Sequence, residues 1–269
     1  KTSDKGQTWE IISPDLTTND PEKQKQFESG GLTYDATGAE NNTTITAIAP
    51  SSLKEEVIWV GTDDGNIQLT QDGGESWNKV STNIKGFPAE SWVAQIQAST
   101  YNAGEAFVVV NNYRNFDFKP YLFHTTNYGK SWTNLTSGDE VWTYTLSVVQ
   151  DPEEPNLMFL GTDGGLYFSI NKGENWQKWT NDYPNVPTRD MMIHPREHDL
   201  VIGTFGRAIY VMDDIRPLRE LATKGKVILD QPLKVFTPPT AYQAVNQQPS
   251  GSRFGANALF NGENRSDNA

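Results

Sequence analysis

The chain has 269 residues, 22 Lys and Arg against 34 Asp and Glu, a net charge of -12, and no cysteine. The acidic balance argues against a nucleic-acid backbone as main partner, because that needs a basic patch to displace counterions. Missing thiols exclude disulfides, thiolate catalysis and Cys-ligated metals, and no apolar run reaches the roughly 18 residues of a spanning helix.

An octapeptide opens the chain: Thr2-Ser3-Asp4-Lys5-Gly6-Gln7-Thr8-Trp9. It returns as Thr70-Gln71-Asp72-Gly73-Gly74-Glu75-Ser76-Trp77, as Thr125-Thr126-Asn127-Tyr128-Gly129-Lys130-Ser131-Trp132, and as Ser169-Ile170-Asn171-Lys172-Gly173-Glu174-Asn175-Trp176. A short Asp or Asn accepts N–H groups within its own turn. Gly two positions later takes the positive φ that closes the turn, and Trp starts the return strand with a broad packing surface. The spacing therefore predicts a self-capped hairpin.

Residues 1–13 read as the outer end of one β-blade and 14–42 as a polar connector. Blades follow at about 43–82, 91–137, 142–180 and 188–222. Each has a first strand (Ile45–Pro50, Trp92–Gln97, Thr145–Val149, Asp190–Pro195). In three of them a second strand then runs into a Gly-containing turn (Val57–Gly65, Leu157–Gly165, Leu200–Gly206). The Asp box falls between strands three and four. Trp-to-Trp intervals of 68, 55 and 44 residues describe a constant unit with variable loops, the signature of a propeller. The last unit has Met212-Asp213-Asp214-Ile215-Arg216-Pro217-Leu218 in place of the box, which marks it as terminal. Beyond 222, Val227–Leu229 and Leu233–Phe236 read as short strands, and 237–269 as a linker or extended arm. Fold class is thus all-β: four-stranded antiparallel blades with Asp-box hairpins, forming part of a larger propeller.

The boxes and the Gly-Thr-Asp turns at Gly61-Thr62-Asp63 and Gly161-Thr162-Asp163 resemble the BNR/Asp-box superfamily. That superfamily includes sialidases, xyloglucan-type endoglucanases, photosystem II assembly factors and sortilin-type receptors. The run Gly203 to Leu218 resembles the end of the propeller in secreted bacterial sortilin N-terminal-like and glycosyl-hydrolase-like BNR proteins. The resemblance covers about residues 1–222 and implies an extracytoplasmic protein, secreted or at the outer cell surface. It does not select a chemistry.

A glycosidase needs two carboxylates facing one cleft. Asp63, Asp64, Asp163, Asp190, Asp213 and Asp214 lie near turns or strand ends, yet each reads better as a turn former or local ion-pair partner, and no catalytic set is assigned. Asp4, Asp72, Asn127 and Asn171 cannot share an acid–base role because two are amides. With Gly6, Gly74, Gly129, Gly173 and Trp9, Trp77, Trp132, Trp176 they read as structural. His124, His194 and His198 are too scattered for a zinc site, and no metal or cofactor is expected. Trp92, Trp142 and Trp179 read as packing residues. The insertion from Asn111 to Tyr121 is the candidate binding loop, through Tyr113, Arg114, Phe116, Phe118 and Tyr121. The expected function is recognition or scaffolding, with a glycan or another protein as partner and further blades from the parent chain or a partner chain. The alternatives are a glycoside hydrolase with its cleft partly elsewhere, and an assembly factor for a membrane protein.

Overall fold

The computed structural model describes residues 1–25 and 42–239. The expected connector and arm fall largely at 26–41 and 240–269, outside the described residues. Two compact units are present, Lys1–Pro232 and Leu233–Ala269.

Among the described residues the first unit carries fifteen strands in four antiparallel sheets. Blade 1 is β1 (Ile45–Pro50), β2 (Ile58–Thr62), β3 (Ile67–Thr70) and β4 (Asn78–Lys79). Blade 2 is β5 (Trp92–Ala98), β6 (Ala106–Asn112), β7 (Asp117–Thr125) and β8 (Thr133–Asn134). Blade 3 is β9 (Thr145–Gln150), β10 (Met158–Thr162), β11 (Gly165–Ser169) and β12 (Gln177–Lys178). Blade 4 has three strands, β13 (Thr188–Ile193), β14 (Leu200–Thr204) and β15 (Ile209–Met212), where a four-stranded unit is expected. The strand order in every sheet is sequential, as in a meander. This is a partial β-propeller.

Three cores glue the blades face to face. Trp59 and Leu69 of blade 1 meet Val93, Val108 and Phe123 of blade 2. Phe107 and Leu122 of blade 2 meet Val148, Leu160 and Trp176 of blade 3. Phe159 and Leu166 of blade 3 meet Met191, Leu200 and Ile202 of blade 4. Alternation along each strand sends successive side chains to opposite neighbours, so both faces of an inner blade are apolar. Each large side chain buried this way contributes roughly 1.5–3 kcal/mol.

Close approach explains two glycines that look like turn residues in the sequence. Gly61 and Gly161 lie inside β2 and β10. A Cβ on Gly161 would stand 2.5 Å from the Thr188 carbonyl of blade 4, and one on Gly61 would stand 2.9 Å from Val93 Cβ of blade 2. Each lets the first strand of the next blade lie flat on its own blade. The equivalent Gly203 in β14 meets nothing nearer than the Asp190 carbonyl, 3.6 Å away in its own blade.

After blade 4 the chain forms α1 (Arg216–Lys224), which periodicity did not announce in so short a segment. Its markers were present: Pro217 in the first turn, and Gly225 just past the end at φ 70°, the usual asymmetry of helix ends. Arg219 fastens it to blade 3 through Asp151 (2.9 Å) and Glu153 (2.9 Å). The expected strand Val227–Leu229 is not formed: Gly225–Ile228 is a 3-10 turn instead. Leu233–Phe236 carries no strand either. Neither segment has an alternating partner strand to supply ladder bonds, and an isolated apolar run does not make a sheet.

Candidate functional site

The four boxes share one geometry. The leading hydroxyl accepts the glycine N–H, from Gly6 to Thr2 (2.9 Å), Gly74 to Thr70 (2.9 Å), Gly129 to Thr125 (3.1 Å) and Gly173 to Ser169 (2.9 Å). The Asp or Asn Oδ1 accepts the N–H four residues on, at Thr8, Ser76, Ser131 and Asn175 (2.9–3.0 Å). Oδ2 of Asp4 accepts from Thr8, whereas Nδ2 of Asn127 donates to Ser131 Oγ, so acid and amide do the same work with reversed polarity. Hydrogen bonds from the Thr8 hydroxyl and N–H hold Asp4 down to about 2, and Ser76 lowers Asp72 likewise.

Two features of the box were not visible in the spacing. The residue before the glycine is also left-handed, at Lys5, Gly73, Tyr128 and Lys172. The glycine, moreover, seats an apolar residue of the preceding unit: Ile12 at Gly74, Val80 at Gly129 and Leu135 at Gly173, each 2.8 Å from an added Cβ. Each of these three stands three positions after a box Trp. The Trp77 and Trp176 indoles donate to the carbonyls of Ile12 and Leu135 (2.9 Å each). The boxes are therefore inter-blade fasteners.

The opposite end of the blades is different. There the turn between strands two and three meets the entry to strand one, through N–H bonds from Asp63 to Thr44 O, Asp163 to Tyr144 O and Phe205 to Pro187 O. The expected loop Asn111–Tyr121 is an extended hairpin: β6 runs through Asn112, a 3-10 turn spans Tyr113–Asn115, and β7 starts at Asp117. The sequence reading missed this because Phe118, Tyr121 and their neighbours alternate too briefly to separate strand from loop. Tyr113 packs on Tyr144 (4.8 Å), and Phe118 also faces Tyr144 (6.2 Å). Arg114 lies over Trp92 (4.0 Å) and Tyr113 (4.8 Å), and its Nε is enclosed without an acceptor. Tyr121 turns inward, its hydroxyl donating to Asp117 (2.6 Å). Its ring packs part-buried on the blade 1–2 core.

Phe116 (76% exposed), Phe118 (54%), Trp142 (63%) and Phe205 (68%) each stand open to solvent at this end of blades 2, 3 and 4, and together are called the aromatic belt. Trp142 was expected to be a packing residue; instead it covers the Gly164 turn with one face and offers its ring outward under Lys178 Nζ (5.2 Å). Arg189 stacks on Phe205 (5.5 Å). Beside Trp142 runs a depression of about 410 Å³ between Lys119, Tyr121, Asn134, Ser137 and Asp139. Trp179 does pack, edge-on against Phe168 (5.6 Å).

The carboxylates do not form a dyad. Asp64 accepts from Thr62 and from both the N–H and hydroxyl of Thr18, so it ties the 12–19 segment to blade 1. Asp163 is taken by Tyr144 (2.8 Å), which raises the Tyr144 pKa after burial has begun to. Asp214 is paired with Arg216 (2.6 Å), and Asp190 bonds the next N–H at Met191 (2.9 Å). Asp63 alone is pushed up, to about 6, by burial and by Asp64, against the Thr44 N–H. Its folded pKa exceeds the unfolded one, so the fold loses stability as pH rises between about 4 and 6. Asp63→Asn keeps an acceptor for Thr44 and removes the buried charge. It is expected to gain about 1–2 kcal/mol above about pH 6 and nothing below about pH 4, read from melting curves across that range. Among the described residues no group of three His, Asp or Glu could hold a metal ion, and no helix is long and apolar enough to cross a membrane.

Fold and face together define a propeller arc with fastening boxes at one end and an aromatic belt at the other. The chain is similar to an oligoxyloglucan-reducing end-specific xyloglucanase of Emericella nidulans, 30% identical over 164 residues, 56% of this chain and 19% of that protein. It thus spans about a fifth of that relative. Among solved structures it is similar to an ancestral GH74 enzyme (23% identity, TM-score 0.48, 61% of this chain and 22% of that one). It is also similar to YCF48 from Cyanidioschyzon merolae (17%, TM-score 0.44, 62% and 55%). No protein-family model matches.

Proposed function

We propose that this chain is the recognition arc of an extracytoplasmic propeller whose aromatic belt binds a glycan strand. The observation that carries the reading is the exposure of Phe116, Phe118, Trp142 and Phe205 at one end of three consecutive blades. Flat aromatic faces suit the C–H faces of pyranose rings, and the accessible guanidinium of Arg189 with the side chains of Asn134 and Ser137 supply polar contacts nearby. The 164-residue similarity to a xyloglucanase supports a sugar as the ligand in preference to a protein. The resemblance to secreted sortilin N-terminal-like BNR proteins belongs to the same reading.

A hydrolase is the second reading, favoured by one observation: Asp63 is held near 6, where a general acid works. It is only 6% exposed, however, and is not part of the aromatic belt. The experiment is affinity electrophoresis on xyloglucan, cellulose and pectin gels, with reducing-end release measured in parallel. Retention by at least one glycan is expected, and Trp142→Ala and Phe118→Ala should each weaken it about five- to tenfold, or roughly 1 kcal/mol. Equal migration of all three proteins on every gel would sink the recognition reading. Sugar release abolished by Asp63→Asn would replace it with the hydrolase.

A further inference from the structure

The turn from strand two into strand three carries a left-handed residue in every blade. In three blades a glycine takes it: Gly65 at φ 88°, Gly165 at φ 125° and Gly206 at φ 84°. Blade 2 has Phe116 there, at φ 58° and ψ 23°, directly after the 3-10 turn Tyr113–Asn115. A Cβ makes that conformation unfavourable, which is why glycine is its usual occupant. Tyr128 also has a positive φ, but inside a box turn, where its ring covers Gly104 (2.9 Å from an added Cβ). Phe116 has no such contact: it is 76% exposed and belongs to none of the three cores.

The rest of the hairpin holds the tip still. Asp117 accepts from the Tyr121 hydroxyl (2.6 Å), the Asn112 amide (3.4 Å) and the Lys119 N–H (3.3 Å). Asn115 donates to Asn112 Oδ1 (2.8 Å) and to the Glu90 carbonyl (3.4 Å), and the Phe116 N–H donates to the Tyr113 carbonyl (3.0 Å). The backbone is thus over-determined around a residue that burial does not stabilise, the situation in which local strain points to function. Blade 2 packs on blade 1 through one face and on blade 3 through the other, so its open tip is not a blade face awaiting a neighbour.

We propose that Phe116 is the residue on which a pyranose ring of the bound glycan stacks, and that the turn keeps its strain because glycine would leave the sugar no ring to meet. The inference rests on the glycan reading and adds to it a contact residue and the backbone that presents it. Asn112, Asn115, Asp117 and Tyr121 are positioning residues. They fix the ring before the ligand arrives, which lowers the ordering cost of binding.

Stability and binding should move in opposite directions at this one position. Phe116→Gly relieves the strain, and after glycine's greater freedom in the unfolded chain is subtracted it should melt about 1–4 °C above the wild type. On the xyloglucan, cellulose and pectin gels the same variant should lose retention about fivefold or more wherever the wild type is retained. Phe116→Ala should lose retention without melting higher, because the Cβ stays, and Phe116→Trp should keep retention. Retention of Phe116→Gly equal to the wild type overturns the proposal, and so does a loss in Phe116→Trp as large as in Phe116→Gly. A Phe116→Gly melting temperature at or below that of the wild type overturns the assigned strain. If the wild type itself runs unretarded on every gel, the glycan reading falls and this contact falls with it, whatever the melting temperatures show.

Discussion

Replacing Glu105 by Ala is expected to destabilise the unit by about 3–5 kcal/mol at neutral pH, the cost of breaking a buried ion network by removing one partner. Glu105 is 2% exposed, between His124 Nε2 (2.7 Å) in its own blade and Lys172 Nζ (2.6 Å) in the box of blade 3. Burial raises its pKa, but the hydrogen bonds from His124 and Lys172 outweigh that and bring it down to about 2. A depressed folded pKa means that its contribution is complete above the unfolded value of about 4.5 and fades as pH falls toward 2. Glu105→Ala should therefore melt well below the wild type at pH 7 and approach it in acid, while Glu105→Gln, which still accepts one bond, falls between. Denaturant titration at several pH values measures this. A Glu105→Ala loss that stays constant from pH 7 down to about pH 3 would contradict the assigned network.

Gly161→Ala is the second large effect. The added methyl would clash with Ser147 Oγ and stand 2.5 Å from the Thr188 carbonyl, a backbone atom that moves only if blade 4 moves. Overpacking of this kind costs about 3 kcal/mol or more where the neighbour cannot yield. Gly203→Ala, at the same register position in blade 4, has no atom closer than 3.6 Å and should change stability by less than about 0.5 kcal/mol. The comparison isolates blade packing from glycine's backbone freedom, because no positive φ is recorded at either residue. Equal losses in the two variants, measured by chemical unfolding of the monomer, would show that the glycine serves its own strand and not the neighbour.

Much of this architecture was legible in the residues. Four boxes with one spacing specify four hairpins, because the bonds accepted by the leading hydroxyl and by the Asp or Asn are all made within eight residues. Strand alternation around Ile45, Trp92, Leu157 and Leu200 likewise needs only the two-residue period of a pleated strand. The Asp/Asn exchange at 4, 72, 127 and 171 pointed to a shared acceptor role, and the observed bonds run through Oδ1 in all four.

What local chemistry could not decide was which side of each residue meets a neighbour. Gly61 and Gly161 read as turn glycines until the first strand of the next blade is seen lying on them. Trp142 and Trp179 are the same residue type in the same unit, yet one ring faces solvent over Gly164 and the other packs on Phe168. Glu105 and His124 meet across neighbouring strands of blade 2, and Lys172 joins them only through blade stacking. Helix α1 owes its place to Arg219 reaching Asp151, a contact across 68 residues. By itself the sequence determined the hairpins, the strand period and the all-β class, since these rest on bonds between near neighbours. The tertiary structure alone decided the inter-blade glycines, the buried ion network and the open aromatic belt, because each depends on long-range packing that no short window of residues contains.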